Sequence, residues 1–234
     1  MSNFIHFGCW NNLNKGCLNN VMKLLNDRLI DADKPTIDFL TIAGDNYYPE
    51  KQKVEGKKKK IIKPLLLEEG FAYLPTDIPI YMILGNHDLE TNINEEENNF
   101  FIDNLDNAVG TNVCSIIDYE RQSTNTNTKI IYNLFQEIML ENKTLIIMID
   151  TSMYSVDADK YLSCYKFFLT DTTTLSEYNI ENLREYQLDL IIKTIAKYGE
   201  GGIRNLMLIG HHPIIGLKEK DENRAFSELQ RIII

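Results

Sequence analysis

Five short apolar runs in this chain each stop at a polar cluster, and no other feature constrains its fold as strongly. The runs cover residues 3–8, 37–43, 79–84, 144–149 and 205–210. The clusters that end them are Gly8-Cys9-Trp10, Gly44-Asp45-Asn46-Tyr47-Tyr48, Gly85-Asn86-His87-Asp88, Asp150-Thr151 and Gly210-His211-His212-Pro213. Runs this short, apolar at consecutive positions, read as strands buried on both faces. Segments of helical period lie between several of them. Residues 18–30 put Leu18, Val21, Met22, Leu25 and Leu29 on one face. Residues 180–198 do the same with Ile180, Leu183, Leu188, Ile191, Ile192 and Ile195. Strand–helix alternation of this kind predicts an α/β layer fold with a largely parallel sheet.

The middle of the chain breaks the pattern. Residues 113–119 and 129–137 read as two strands joined by the polar stretch 121–128, which predicts an antiparallel hairpin on a second sheet. Residues 61–69 and 221–231 are weaker helix candidates, and 90–99 is acidic enough for a surface loop. No internal repeat or linker divides the chain, so residues 1–234 are expected to form one domain.

Composition narrows the partners. A net charge of −10 argues against general binding to nucleic acid or to anionic membranes. Lys57–Lys60 is the local exception, expected as a solvated loop or helix start. No apolar stretch is long enough to span a bilayer, and the N-terminus is too polar for a signal peptide. Cys9, Cys17, Cys114 and Cys164 form no CxxC pair, so reduced thiols in a cytoplasmic setting are the expectation. Asn142-Lys143-Thr144 is a glycosylation sequon that carries little weight without secretion.

The chemistry gathers at the strand ends. In open α/β sheets, ligands bind outside the carboxyl ends of the strands. Five ends carry Cys9, Asp45, Asn86, Asp150 and His211, and these are expected to converge on one crevice. Phosphoester hydrolysis needs charge neutralised on the phosphoryl oxygens and a hydroxide near neutral pH, which two metals roughly 3.5–4 Å apart supply. Such a pair needs a bridging carboxylate, for which Asp45 is the natural candidate. Asn86 offers a neutral carbonyl oxygen and His211 an imidazole nitrogen. His87, next to Asn86, is placed to face the substrate and protonate the leaving oxygen.

In order, spacing and residue type these motifs resemble those of the metallophosphoesterase (calcineurin-like) superfamily. The Gly-Asp-Asn-x-Tyr form resembles its purple acid phosphatase branch. Motif spacings of 36, 41 and 125 residues, from Cys9 through Asp45 and Asn86 to His211, suit a small member. The resemblance implies a four-layered α/β/β/α sandwich of two mixed sheets. It implies two metal ions, drawn from iron, zinc and manganese, and hydrolysis of phosphomonoesters or phosphodiesters by metal-activated water. Residue by residue, it places Asp45 between both metals, Tyr48 on the first, and Asn86 and His211 on the second. His87 would orient substrate or donate the proton, and His212 is no ligand.

The chain departs from the family pattern twice. Cys9 stands where the family has an aspartate ligand to the first metal, with Trp10 retained. Two readings of Cys9 are open: a softer thiolate ligand, or a small thiol beside a weakened first site. The last family motif, Gly-His-x-His, does not occur before Ile234, so the fold is expected to be incomplete at its C-terminal side. Two rivals follow for function. One is a weak or inactive domain of this fold that binds or assembles. The other is a nuclease of the same superfamily, disfavoured by the acidic balance.

Overall fold

The computed structural model describes residues 2–11, 17–29, 33, 35–48, 50–54, 57–62, 70–90, 100–102, 117, 120, 127–155, 158–165, 168–169 and 177–212. In chain order the elements are β1 (Phe4–Phe7), α1 (Cys17–Leu29), β2 (Phe39–Ala43), β3 (Glu50–Val54), β4 (Lys57–Ile62), β5 (Ile80–Ile83), α2 (Asn86–Glu90) and β6 (Phe100–Ile102). Then come β7 (Ile130–Tyr132), β8 (Phe135–Met139), β9 (Thr144–Ile149), α3 (Leu162–Tyr165), α4 (Ile180–Gly199) and β10 (Asn205–Gly210). All five expected strands are present, two of them with unchanged boundaries.

The strands form a four-stranded sheet β1-β2-β5-β7, a three-stranded sheet β10-β9-β8 and a small sheet β3-β4-β6. Every pairing in the first sheet is parallel. The second is mixed: β10 runs parallel to β9 and β8 antiparallel to it. The period of two along each central strand explains how these sheets stack. On β2, Leu40 and Ile42 face one apolar layer while Phe39 and Ala43 face another. On β9, Ile146 and Met148 join Phe39, Ala43 and Ile83 between the two sheets. Leu145, Ile147 and Ile149 face outward to Ile180, Leu183 and Ile191 of α4. On the far side of the first sheet, Leu40, Ile80 and Met82 meet Val21, Met22 and Leu25 of α1. The result is the expected α/β/β/α sandwich. Buried faces on both sides are why these strands read as unbroken apolar runs.

Helix α4 begins at Asn179, whose side-chain oxygen accepts from the Asn182 N–H at 2.9 Å. Glu181 in the first turn and Lys197 in the last suit the helix dipole. Its buried face includes Arg184 and Gln187, whereas Ile192, expected inside, is 52% exposed. Arg184 is held by the Met153 carbonyl at 2.7 Å. Gln187 clasps the Asp150 backbone at both its N–H and its carbonyl, each at 3.0 Å. The polar residues displace an isoleucine from the core face because they close the loop after β9.

Several expectations need correction. Lys57–Lys60 is neither loop nor helix start but most of β4, and β4 also takes Ile61 and Ile62 from the expected 61–69 helix. Among the described residues the hairpin of 113–119 with 129–137 is not seen, and 113–116 and 118–119 lie outside them. Ile117 and Glu120 are helical, and the apolar stretch after 129 splits between β7 on the first sheet and β8 on the second. Asn133 makes the switch: its N–H donates to the Met82 carbonyl at 3.1 Å, and its side-chain oxygen accepts from the Leu134 N–H. Cys164 is disulfide-bonded, so four reduced thiols are not what the protein carries. Cysteine chemistry therefore no longer argues for a reducing compartment. The expected 221–231 helix, the 91–99 part of the acidic loop and the 232–234 strand start lie outside the described residues. Among the described residues no helix is long and apolar enough to cross a membrane.

Ile147 is fully buried between the second sheet and α4. Ile147→Ala is expected to destabilise the fold by about 2–5 kcal/mol, through lost transfer energy and the cavity left behind. A urea denaturation series reads this directly, and a loss below about 1 kcal/mol would mean that the α4 layer is loosely packed.

Candidate metal centre at the strand ends

The site is built from the ends of three parallel strands and one strand of the facing sheet. Cys9 follows β1, Asp45 follows β2, Asn86 opens α2 after β5, and His211 follows β10. Cys9 and Asp45 both hold positive φ, 52° and 53°, which is uncommon for residues with a side chain. Such strain collects at functional sites, where the surrounding structure over-determines the backbone. Here the Cys9 N–H donates to the Gly44 carbonyl at 3.1 Å, locking the β1 and β2 ends together. Gly85 must lack a side chain, because a Cβ there would stand 2.2 Å from Asp45 Oδ1.

Asp45 is the hub, and its two oxygens face different partners. Oδ2 accepts from the Tyr48 hydroxyl at 2.5 Å and the Cys9 thiol at 3.5 Å. Oδ1 accepts from the His87 N–H at 3.0 Å and lies 3.2 Å from His211 Nε2. His211 Nε2 is also 3.1 Å from Asn86 Oδ1. The other ring nitrogen, Nδ1, sits 2.7 Å from the Ala43 carbonyl, which can only accept. Nδ1 therefore carries a hydrogen, and in the neutral ring Nε2 is a lone pair facing two acceptor oxygens. Only a cation resolves that arrangement: a second proton on the ring, or a metal ion. Donors about 2.1 Å from one ion stand about 3.0–3.4 Å apart, and the observed 3.1 and 3.2 Å fit that spacing. Cys9, Asp45 and His211 offer ligand atoms within 4.8 Å of one another.

The electrostatics agree. Burial works to raise the Asp45 carboxyl, but the His211 ring and the Tyr48 hydroxyl bring it down to about 2. Burial disfavours the charged His211 ring, yet its contact with Asp45 raises it on balance. Tyr48 is pushed far up, by burial first and then by its bond to the Asp45 carboxylate. The Cys9 thiol is raised too, by partial burial and by the neighbouring carboxylates. Without a cation, the phenol and thiol stay protonated and donate to Asp45.

Four expected residues thus gather around Asp45: Cys9, Tyr48, Asn86 and His211. His87 joins through its backbone N–H, with its ring 4.8 Å from the Tyr48 ring. Asp150 does not join. It is fully buried, and its Oδ1 accepts from the Ser152 and Met153 N–H groups in the turn after β9, which removes it from the crevice. Burial raises its carboxyl to about 7. His212 packs edge-on against His211 and pairs with Thr151. His6 lies on β1 with Nδ1 3.0 Å from the Thr41 hydroxyl.

The sequence reading missed how the motifs are fastened. Asp88 is fully buried and accepts from Gly85 N–H (2.7 Å), Asn46 N–H (2.7 Å), Tyr47 N–H (3.2 Å) and Asn46 Nδ2 (3.1 Å). Trp10 Nε1 donates to Asn46 Oδ1 at 3.2 Å, so three motifs meet at one amide. Beneath them, buried Glu120 takes the Tyr132 hydroxyl. Burial pushes Glu120 up to about 8, and burial with the Glu120 charge raises Asp88 well above the usual carboxylate range. The motif pattern flagged Asn46 and Asp88 as polar but not as braces. Nothing in it pointed to Glu120.

An α/β/β/α sandwich with acceptor atoms gathered at the strand ends of both sheets is the class of protein defined so far. The calcineurin-like phosphoesterase pattern matches residues 2–232, and the chain belongs to that family. No curated protein and no solved structure matches it. The family's general chemistry is metal-dependent hydrolysis of phosphoesters.

Proposed function

We propose that this protein hydrolyses phosphomonoesters or phosphodiesters at a two-metal site of the purple acid phosphatase type. The observation that carries the reading is the division of labour at Asp45, whose two oxygens address two separate donor sets. Oδ2 faces Cys9 and Tyr48, and Oδ1 faces Asn86 and His211. A carboxylate so placed is suited to bridge. Ions held there, iron, zinc or manganese, would neutralise phosphoryl oxygens and make hydroxide available near neutral pH.

The protein's own groups do the rest. Asp45 orients both donor sets and holds the negative charge between them. Asn86 gives a neutral oxygen, which leaves the electron-poor character of its side of the site intact. The Ala43 carbonyl fixes the His211 tautomer, so that Nε2 points its lone pair inward. His87, half-buried and packed on Tyr48, is the group we assign to hand a proton to the leaving oxygen. Metal analysis together with an aryl-phosphate assay tests the reading. Bound metal without turnover would leave a binding module of this fold. No bound metal would end the hydrolase reading.

Cys9 is the residue that sets this chain apart. Its sulfur lies 3.5 Å from Asp45 Oδ2, so it faces the site and is not a buried bystander. We assign it as a thiolate ligand, ionised when metal binds. Cys9→Asp is expected to shift the first position from zinc towards manganese, since a carboxylate is the harder donor. Competition between the two metals, read by elemental analysis, measures this. A rise in total metal and in turnover would instead mark Cys9 as a decayed position.

A further inference from the structure

The triplet Asn142-Lys143-Thr144 plays no part in the proposed chemistry. It is the only Asn-x-Ser/Thr triplet in the chain. A chain with 24 asparagines forms such a triplet by chance, so the pattern alone decides nothing. Two structural facts give it weight. The first is that Cys164 is disulfide-bonded, and disulfides persist in oxidising compartments such as the secretory pathway. That is the same pathway in which asparagines acquire N-linked sugars.

The second fact is where the triplet sits. Residues 140–143 turn the chain from β8 into β9. The Lys143 N–H donates to the Leu140 carbonyl and the Leu140 N–H to the Thr144 carbonyl, each at 2.9 Å. Asn142 is exposed in this turn. Its Oδ1 accepts from the Thr144 N–H at 3.1 Å, an Asx turn that sets the amide against the third residue of the triplet. Nδ2, the atom that would carry a sugar, has no partner among the described residues. The neighbouring residue is pinned. Lys143, at φ 64°, reaches the Gly201 carbonyl with Nζ at 3.0 Å, and its own carbonyl accepts from the Arg204 N–H at 2.9 Å. The triplet opens β9, while the candidate centre lies past the other end of that strand. Thr144 pairs with Asn205, and Ile149 with Gly210, the residue before His211. The length of β9 puts about 17 Å between the two ends. A bulky group on Asn142 therefore leaves the crevice open.

We propose that Asn142 carries an N-linked glycan, added in the oxidising compartment where the disulfide of Cys164 forms. The donor is an oligosaccharide held on a polyprenyl diphosphate. Asn142 Nδ2 attacks the anomeric carbon of this donor, and an N–C bond forms as the C–O bond to the diphosphate breaks. The lipid diphosphate leaves with the electron pair, and Nδ2 gives up one hydrogen as a proton. The order of events follows from Thr144, whose hydroxyl the transferring enzyme must reach. In the finished fold Thr144 is buried, and its hydroxyl accepts from Asn205 Nδ2 at 3.2 Å. The sugar is therefore added before β10 docks on β9. None of this depends on the hydrolase reading.

The test uses the full-length protein purified from the cells that produce it. Peptide:N-glycosidase digestion in heavy-oxygen water converts a glycosylated asparagine to a labelled aspartate, which peptide mass spectrometry locates. Label is expected at position 142 in most copies, together with a downward mass shift of the intact protein on digestion. N142Q and T144A are expected to lose both signals, and T144S, which keeps the hydroxyl, to retain them. If T144A does not fold, the contrast between N142Q and T144S reads the same dependence, because Asn142 is exposed and serine preserves the bond to Asn205. An unlabelled Asn142 in protein from these cells overturns the proposal. So does label at 142 that appears without the glycosidase, which would be spontaneous deamidation, or label that is as strong in T144A as in wild type. A glycan on Asn142 in a protein with no aryl-phosphate turnover would sustain the proposal and count against the hydrolase reading alone.

Discussion

Asp45→Asn is expected to release bound metal and to cut aryl-phosphate turnover by about 10³-fold or more, equivalent to about 4 kcal/mol of barrier. The substitution is nearly isosteric, and asparagine tolerates positive φ as well as aspartate does, so the backbone at 53° should survive. What changes is charge. The amide cannot offer two anionic oxygens, one to Cys9 and Tyr48 and the other to Asn86 and His211. It also removes the group that raises His211, so the ring should fall back and the site lose its attraction for cations. Elemental analysis and steady-state kinetics on the same preparation separate the two effects. Turnover within about tenfold of wild type would sink the bridging role assigned to Asp45.

His87→Ala has the second largest expected effect and a different signature. Metal content should stay near wild type, because the contact between this residue and Asp45 runs through its backbone N–H, which alanine keeps. Turnover should fall by about 10²–10⁴-fold if the ring supplies the leaving-group proton. The loss should be largest for substrates with poor leaving groups, which depend most on protonation. If metal is lost as well, the ring serves to hold Tyr48, on which it packs. A loss below about tenfold with metal intact would remove the general-acid role.

The layer structure was legible in the sequence because its strands are buried on two faces. Runs such as Leu145–Ile149 are too short for buried helices, and the motif behind each run marks where it stops. The site was legible wherever a donor follows such a run, as with Asp45, Asn86 and His211. Asp150 misled because it obeys the same pattern; only the turn after β9, which folds its own N–H groups back onto the carboxylate, takes it out of reach. The 129–137 stretch misled because its apolar pattern is continuous while its hydrogen bonding is not. A single asparagine at 133 hands the chain from one sheet to the other, and no periodicity reports that. The lysine strand was hidden by its composition: four lysines argue for solvent, while the backbone ladder that holds them is set by partners elsewhere, β3 on one side and the distant Phe100–Ile102 on the other. Asp88 and Glu120 were invisible as a pair, since burial of carboxylates is decided by tertiary structure alone.

The division of the candidate centre between two sheets has a consequence for how its chemistry is tuned. Cys9, Asp45, Tyr48 and Asn86 ride on one sheet and His211 on the other. Between those sheets lie Phe39, Ala43, Ile83, Ile146, Met148 and Ile209. Their combined volume acts as a gauge block that sets how far the imidazole stands from the carboxylate. Bulk added at Ala43, or removed at Met148, would open or narrow the ligand cage by tenths of an ångström without altering a single donor. Preference among ions of different radius is therefore heritable through greasy positions far from solvent, and a lineage could drift from one metal to another while its motifs stayed the same letter for letter.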